Sequence, residues 1–216
     1  IKLNKRFTKQ NVSMQEYAHT LAFIQDHFRF ADLEESEWTV VGLLEKADAM
    51  REQGFKFDGL VIDPYNELEH RRPSAMSETE YVSMVLSKLR RYARKHDIHL
   101  WLVAHPKKLQ KIQQKFDSTE DADKVTKQVY PVPTLYDISG SAHFYNKADM
   151  GIVLWRDKSI PENPTRVIVE KVKFRHCGKT GETNLWFDTH TTKFHEFYYD
   201  CTQVKFARGE KQNVIE

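Results

Sequence analysis

The 216-residue sequence predicts an α/β fold built on a mostly parallel sheet flanked by helices, with antiparallel strands toward the C-terminal end. Three observations lead there. Short apolar runs, Gly59-Leu60-Val61-Ile62, IHLWLVAH (98–105) and MGIVLW (150–155), alternate with amphipathic stretches, the pattern of strands connected through helices. Those runs are nearly continuous in apolar residues, which predicts a sheet covered on both faces. After Pro164 the pattern changes to short alternating segments separated by turn residues, as in hairpins.

Three helices are expected. Ser13 followed by Glu16 forms a capping box, after which Tyr17, Leu21 and Ile24 recur at helical spacing. Val40, Leu43, Leu44 and Ala47 make a second apolar stripe, stopped by Gly54. Ser77 and Glu80 form another capping box. Behind it run Val82, Val85, Leu86, Leu89 and Ala93, with Arg90, Arg91, Arg94 and Lys95 read as a solvated, basic helix end. The segment 106–133 holds six lysines and four acids in 28 residues and is expected to be a mobile, functional loop. Further on, Arg166–Arg175, Thr183–Phe187 and Lys193–Phe197 read as strands, and residues 201–216 as a polar tail after one domain spanning 1–200.

Composition narrows the function classes. Lys+Arg 33 against Asp+Glu 31 leaves a net charge of +2, so any basic surface must be local. No apolar run reaches the roughly 18 residues of a membrane span, and no membrane partner is expected. Cys177 and Cys201 make no CxxC pair, which argues against a cysteine zinc site.

The chemistry is concentrated at strand ends. Asp63 sits at the carboxyl end of one parallel strand, the edge where open α/β sheets bind ligands, and a lone carboxylate there can hold Mg2+ through water. His105 ends the next strand, so the two tips suit a phosphate–metal site. Each residue alone reads equally well as a turn cap or a satisfied edge histidine. Glu67, Glu69 and His70 beside Asp63 raise a metal-nuclease reading, which the crowding around Pro64 opposes. Lys173 and Arg175 alternate on one strand, which would aim two cations at one place, suited to a polyphosphate or to a phosphoryl-transfer transition state. Gly178-Lys179-Thr180-Gly181 is a hairpin turn: no G-x-x-x-x-G-K-[ST] phosphate loop occurs in the 216 residues.

Four motifs then appear in order: LVIDPYNELEH, WLVAHPKKL, PTLYDISGSAHFYNKADMGIVLWRD and VKFRHCGKTGETNLWFD. Together they resemble the C-terminal part of the RecA-like helicase domain of Twinkle-type and phage primase-helicases, hexameric relatives of the DnaB replicative helicases, over roughly residues 55–197. The resemblance implies a RecA-like core with ATP and Mg2+ as cofactors. Asp63 would match the Walker B aspartate and His105 the γ-phosphate-sensing histidine. Arg175 would match an arginine finger, with Lys173 beside it, both acting on ATP held by the neighbouring subunit of a ring. The same resemblance implies single-stranded DNA contacts by Lys107, Lys108, Lys111 and Lys115 and by Gly140-Ser141 at the start of the following helix.

The family's phosphate loop and catalytic glutamate would lie upstream of Ser13. The expectation is therefore a distal piece of a helicase that couples ATP hydrolysis to translocation on single-stranded DNA as a homo-oligomeric, hexameric ring. A primase module would share the polypeptide, and the chain by itself would lack ATPase activity. Two rivals stand beside this reading: a RecA-fold recombinase or regulatory ATPase, and a non-catalytic DNA-binding or assembly module. The expected compartment is the cytoplasm of a bacterium or phage-infected cell, with an organelle matrix as the alternative.

Overall fold

The structure, a computed structural model, describes residues 13–31, 38–116, 125–138, 142–157, 163–188, 192–196, 199–200 and 203–204. The chain divides into two compact units, one of residues 32–153 and 169–181, the other of residues 1–31, 154–168 and 182–216. Asp63, His105, Lys173 and Arg175 all fall in the first.

The first unit is organised around α3 (Glu78–His96). The Ser77 hydroxyl accepts the Glu80 N–H while the Glu80 carboxylate accepts from the Ser77 N–H, closing the expected capping box, and Asp97 ends the helix in the left-handed region at φ 50°. Tyr81, Val82, Val85, Leu86, Leu89 and Tyr92 are its buried face. Against that face pack Val40 from α2 (Val40–Glu52), Ile62 from β1 (Gly59–Ile62), Tyr65, Leu68 and Phe144 from α4 (His143–Lys147). Thr39 caps α2 and Gly54, at φ 92°, takes the chain out of it. His96 meets Asp48 at 3.1 Å, tying α3 to α2.

Strands β1 and β2 (His99–Leu102) pair in parallel, with Gly59 opposite His99 and Ile62 opposite Leu102. Alternation sends Leu60, Ile62, Leu100 and Leu102 into the core. It sends Val61 and Trp101 the other way, where they are 62% and 50% exposed. The expected cover on both faces is therefore met on one face only among the described residues, although both faces are apolar.

The segment expected to be a mobile loop carries a hairpin, β3 (Ile112–Phe116) antiparallel to β4 (Val125–Val129). Ile112, Phe116, Val125 and Val129 supply the β-formers at its ends, a signal that the many lysines and glutamines between them conceal. Strands β5 (Met150–Trp155), β6 (Thr165–Val172), β7 (Gly181–Asp188) and β8 (Lys193–His195) lie in that order in one sheet, with β7 and β8 antiparallel. Gly151 on β5 leaves room for the Leu135 side chain, which would have to shift if a Cβ were added there.

In the second unit, α1 (Met14–His27) has the expected Ser13–Glu16 capping box but buries no residue. Its strand part carries an Arg166–Glu182 ion pair at 2.6 Å and a Phe187–Phe194 ring contact at 5.1 Å. At the end of the expected domain, β9 (Tyr199–Asp200) pairs antiparallel with β10 (Gln203–Val204), which lies in the expected polar tail.

Candidate active site

Parallel pairing of β1 with β2 sets the two strand ends side by side, Ile62 level with Leu102; Asp63 directly follows β1, whereas His105, expected to end its strand, stands three residues beyond the end of β2. Three hydrogen bonds stitch those tips beyond the last ladder pair. Val103 N–H donates to Ile62 C=O at 2.9 Å, and Tyr65 N–H donates to Val103 C=O at 2.8 Å. His105 N–H donates to the Asn66 side-chain oxygen at 2.7 Å. Asn66 stands in the 3₁₀ turn Tyr65–Glu67 directly after Asp63-Pro64, so the turn that follows the aspartate holds the backbone of the histidine. Both Asp63 and His105 face solvent. Sequence reasoning passed over Asn66, because nothing in a short polar side chain shows which backbone group it will accept.

A lone exposed carboxylate beside an open tip fits Mg2+, which keeps most of its waters and takes one or two protein carboxylates plus phosphate oxygens. The neighbouring acids do not join it. Glu69 pairs with Arg71 at 2.9 Å, and His70 lies between the Tyr65 and Tyr81 rings at 4.5 and 5.9 Å. Among the described residues no group of three His, Cys, Asp or Glu is gathered to hold a metal ion, so nothing favours the nuclease arrangement.

From the histidine tip the chain enters the segment assigned to DNA. Pro106 bridges Ile138, and Lys107 N–H donates to Asp137 C=O at 2.7 Å, so the two stretches assigned to nucleic acid are joined immediately past His105. Lys107 and Lys108 are exposed, and Lys111 Nζ stands 5.3 Å from the Tyr130 ring centre. Lys115 is on β3, but its side chain lies outside the described residues, as do Gly140 and Ser141 altogether.

The cationic pair is built differently from the expectation. Strand β6 ends at Val172, so Lys173 and Arg175 do not share a strand face. Lys173 follows the strand, and Arg175 opens an exposed 3₁₀ turn, Arg175–Cys177, that Gly178 ends at φ 141°. Lys173 is already engaged: its Nζ is 3.3 Å from the Asp149 carboxylate. Arg90 departs from the solvated-end expectation too, since it reaches the same carboxylate. Burial pushes the Asp149 carboxyl up, but hydrogen bonds from Arg90 and Lys173 outweigh it and hold it below the usual carboxylate range.

Comparison with known proteins bears on this arrangement. No family model matches the chain. Over 139 residues it is 42% identical to the Twinkle homolog protein, chloroplastic/mitochondrial, of Arabidopsis thaliana, a match covering 63% of this chain and 17% of that protein. Among solved structures it is similar to a DnaB-like replicative helicase described with its interactions with primase, at TM-score 0.60 and 19% identity over 90% of this chain and 44% of that one. The fold, α/β and RecA-like, is shared with that structure. A second solved structure, of an ATPase domain, is similar at TM-score 0.50 and 21% identity, covering 72% of this chain and 50% of that one. The chain thus spans under a fifth of the curated relative and about half of each solved one. The RecA-like assignment and the resemblance to Twinkle-type helicases, both expected from the four motifs, are borne out. Among the described residues no helix is long and apolar enough to cross a membrane.

Proposed function

We propose that this chain is the distal part of the RecA-like motor of an ATP-dependent replicative DNA helicase of the Twinkle and DnaB type, coupling ATP hydrolysis to movement on single-stranded DNA. The observation that carries the reading is the pair of stitched tips bearing Asp63 and His105. Asp63 would hold Mg2+, which would supply positive charge against the nucleotide phosphates when bound. His105 meets the γ-phosphate from the next tip. A shift at its backbone passes through the Pro106–Ile138 bridge and the Lys107–Asp137 hydrogen bond to the segments that grip the DNA phosphates, those carrying Lys107, Lys108, Lys111, Lys115, Gly140 and Ser141.

Lys173 and Arg175 act in trans. Arg175 stands on an exposed turn, so it is presented outward, toward a triphosphate on another subunit of a homo-oligomeric, hexameric ring. The exposed Val61 and Trp101 support a sheet that is one layer of a larger domain. The name of the Arabidopsis relative favours an organelle matrix over the cytoplasm as the place of work, and the replicative-helicase relative described with primase supports a primase module or partner. With no phosphate loop among its residues, the 216-residue chain by itself turns over no ATP.

The test is Arg175→Ala in the full-length ring protein, read by steady-state ATP hydrolysis and by equilibrium nucleotide binding. Hydrolysis is expected to fall by roughly 10^3-fold or more, with binding nearly unchanged. Undiminished hydrolysis in that variant removes Arg175 from the finger role and takes the trans arrangement with it.

A further inference from the structure

An ionic cluster that includes Lys173, two residues before the Arg175 turn, joins three residues far apart in sequence. Arg90, in the C-terminal half of α3, donates from Nε to Asp149 Oδ2 at 3.2 Å and from Nη2 to Oδ1 at 2.5 Å. Lys173 Nζ approaches the same Oδ1 at 3.3 Å, and the Lys173 N–H donates to the Asp149 C=O at 2.9 Å. Asp149 therefore grips Lys173 twice, once by its main chain and once by its carboxylate. The planar fork of Arg90 fixes the orientation of that carboxylate before the lysine meets it.

The surroundings leave this grip little slack. Asp149 immediately precedes β5 and Lys173 immediately follows β6, the neighbouring strand. Lys171 Nζ is engaged by the Tyr145 C=O at 2.5 Å, and Lys147 Nζ by the Ser83 C=O at 2.9 Å and the Ser87 hydroxyl at 2.5 Å. Cationic side chains thus anchor α4 to α3 and the end of β6 to α4. Arg175 then starts its exposed turn only two residues beyond a point held at both backbone and side chain.

We propose that Asp149, oriented by Arg90, is a positioning residue for the Lys173–Arg175 element: it sets the direction of the lysine and the root of the turn that presents the arginine. This rests on the reading of that element as the part that acts on a neighbouring subunit's ATP. Phosphoryl transfer depends almost entirely on positioning and charge, so a small displacement of the two cations reduces turnover without loosening nucleotide binding. A purely structural ion pair has a different signature: it lowers stability and affects activity equally whether or not Lys173 is present.

The test measures kcat and KM for ATP, with thermal melting as a control, in the full-length ring protein carrying Asp149→Asn, Lys173→Ala or both. Asp149→Asn is expected to lower kcat about tenfold with KM within about twofold, and to add nothing in the Lys173→Ala background. Should Asp149→Asn fail to assemble, Arg90→Lys, which keeps the charge but loses the fork, is expected to give a smaller fall in kcat, again only while Lys173 is present. Wild-type kcat in Asp149→Asn, or an equal loss with and without Lys173, overturns the proposal. The two failures are separable. If Lys173→Ala and Arg175→Ala both hydrolyse ATP normally, the finger reading falls and the role of Asp149 with it; if they are impaired while Asp149→Asn is not, only the role of Asp149 falls.

Discussion

Helices α1 and α3 begin with the same device and end in different circumstances. Each opens on a serine whose hydroxyl accepts the N–H of a glutamate three residues on, while that glutamate accepts from the serine N–H. Yet α3 buries six side chains and α1 buries none. A capping box satisfies two orphan donors and so decides where a helix starts, whatever lies around it. What decides whether the helix carries stability is the apolar face behind the cap and the surface it meets. In α3 that face is continuous from Tyr81 to Tyr92 and meets β1, α2 and α4. In α1 the large side chains Tyr17 and Phe23 remain 37% and 51% exposed.

The sharpest way to break this comparison is to remove equivalent bulk from each helix. Leu89, 3% exposed in the middle of the core, should cost about 2–5 kcal/mol as Leu89→Ala, because the site has packed neighbours on every side and collapses poorly. Phe23→Ala in α1 should cost less than about 1–2 kcal/mol, since that side chain remains 51% exposed. Urea denaturation followed by circular dichroism measures both. Equal losses would show that α1 packs as firmly as α3 and that the contrast is wrong.

A smaller effect separates cap from core. Ser77→Ala should lower global stability by about 1 kcal/mol, because α3 melts with the core it organises. Ser13→Ala removes the same two hydrogen bonds but from a helix whose unfolding involves no core residue, and a 14-residue helix is marginal without packing. Its expected consequence is faster amide exchange along residues 17–27 at an unchanged urea midpoint. A shift of that midpoint matching the one in Ser77→Ala would mean that α1 unfolds with the core.

The same division explains what could be read in advance. Signals that act over three or four residues were legible: both capping boxes, the stop at Gly54, and the limits of MGIVLW as β5. The side-by-side ends of β1 and β2 followed from two apolar strands separated by one strong helix, but His105, expected to end the second strand, stands three residues beyond it. Arg90 could not be read the same way. Its neighbours Arg91 and Arg94 give a basic helix end, and the carboxylate that selects Arg90 lies 59 residues on. Lys173 and Arg175 matched the alternation of a strand, but β6 stops at Val172, where Asp149 takes the Lys173 N–H and the chain turns. Hairpin β3–β4 was hidden for a related reason: its apolar, strand-favouring residues stand mostly at its ends, and polar residues dominate the middle. In each case the deciding partner lay outside the window in which local pattern has meaning.

The smallest expected effect also lies beside α3 and has no counterpart in α1. His70 packs on Tyr65 and on Tyr81, the latter in the first turns of α3, and burial lowers its pKa although the Glu78 carboxylate works in the opposite sense. A histidine that is harder to protonate in the fold than in the unfolded chain contributes nothing to pH dependence at pH values where both forms are neutral. As pH falls below the ordinary histidine range near 6.5, the unfolded chain takes up the proton first, and stability declines until the folded form also protonates. In α1, His27 instead stacks on Phe23 at 4.2 Å on an exposed surface. Melting temperatures taken from pH 7.5 down to pH 5.5 should therefore fall in the wild type, and fall less in His70→Asn. An equal fall in His70→Asn would show that the acid-sensitive contact is not the one His70 makes with Tyr65 and Tyr81 beside α3.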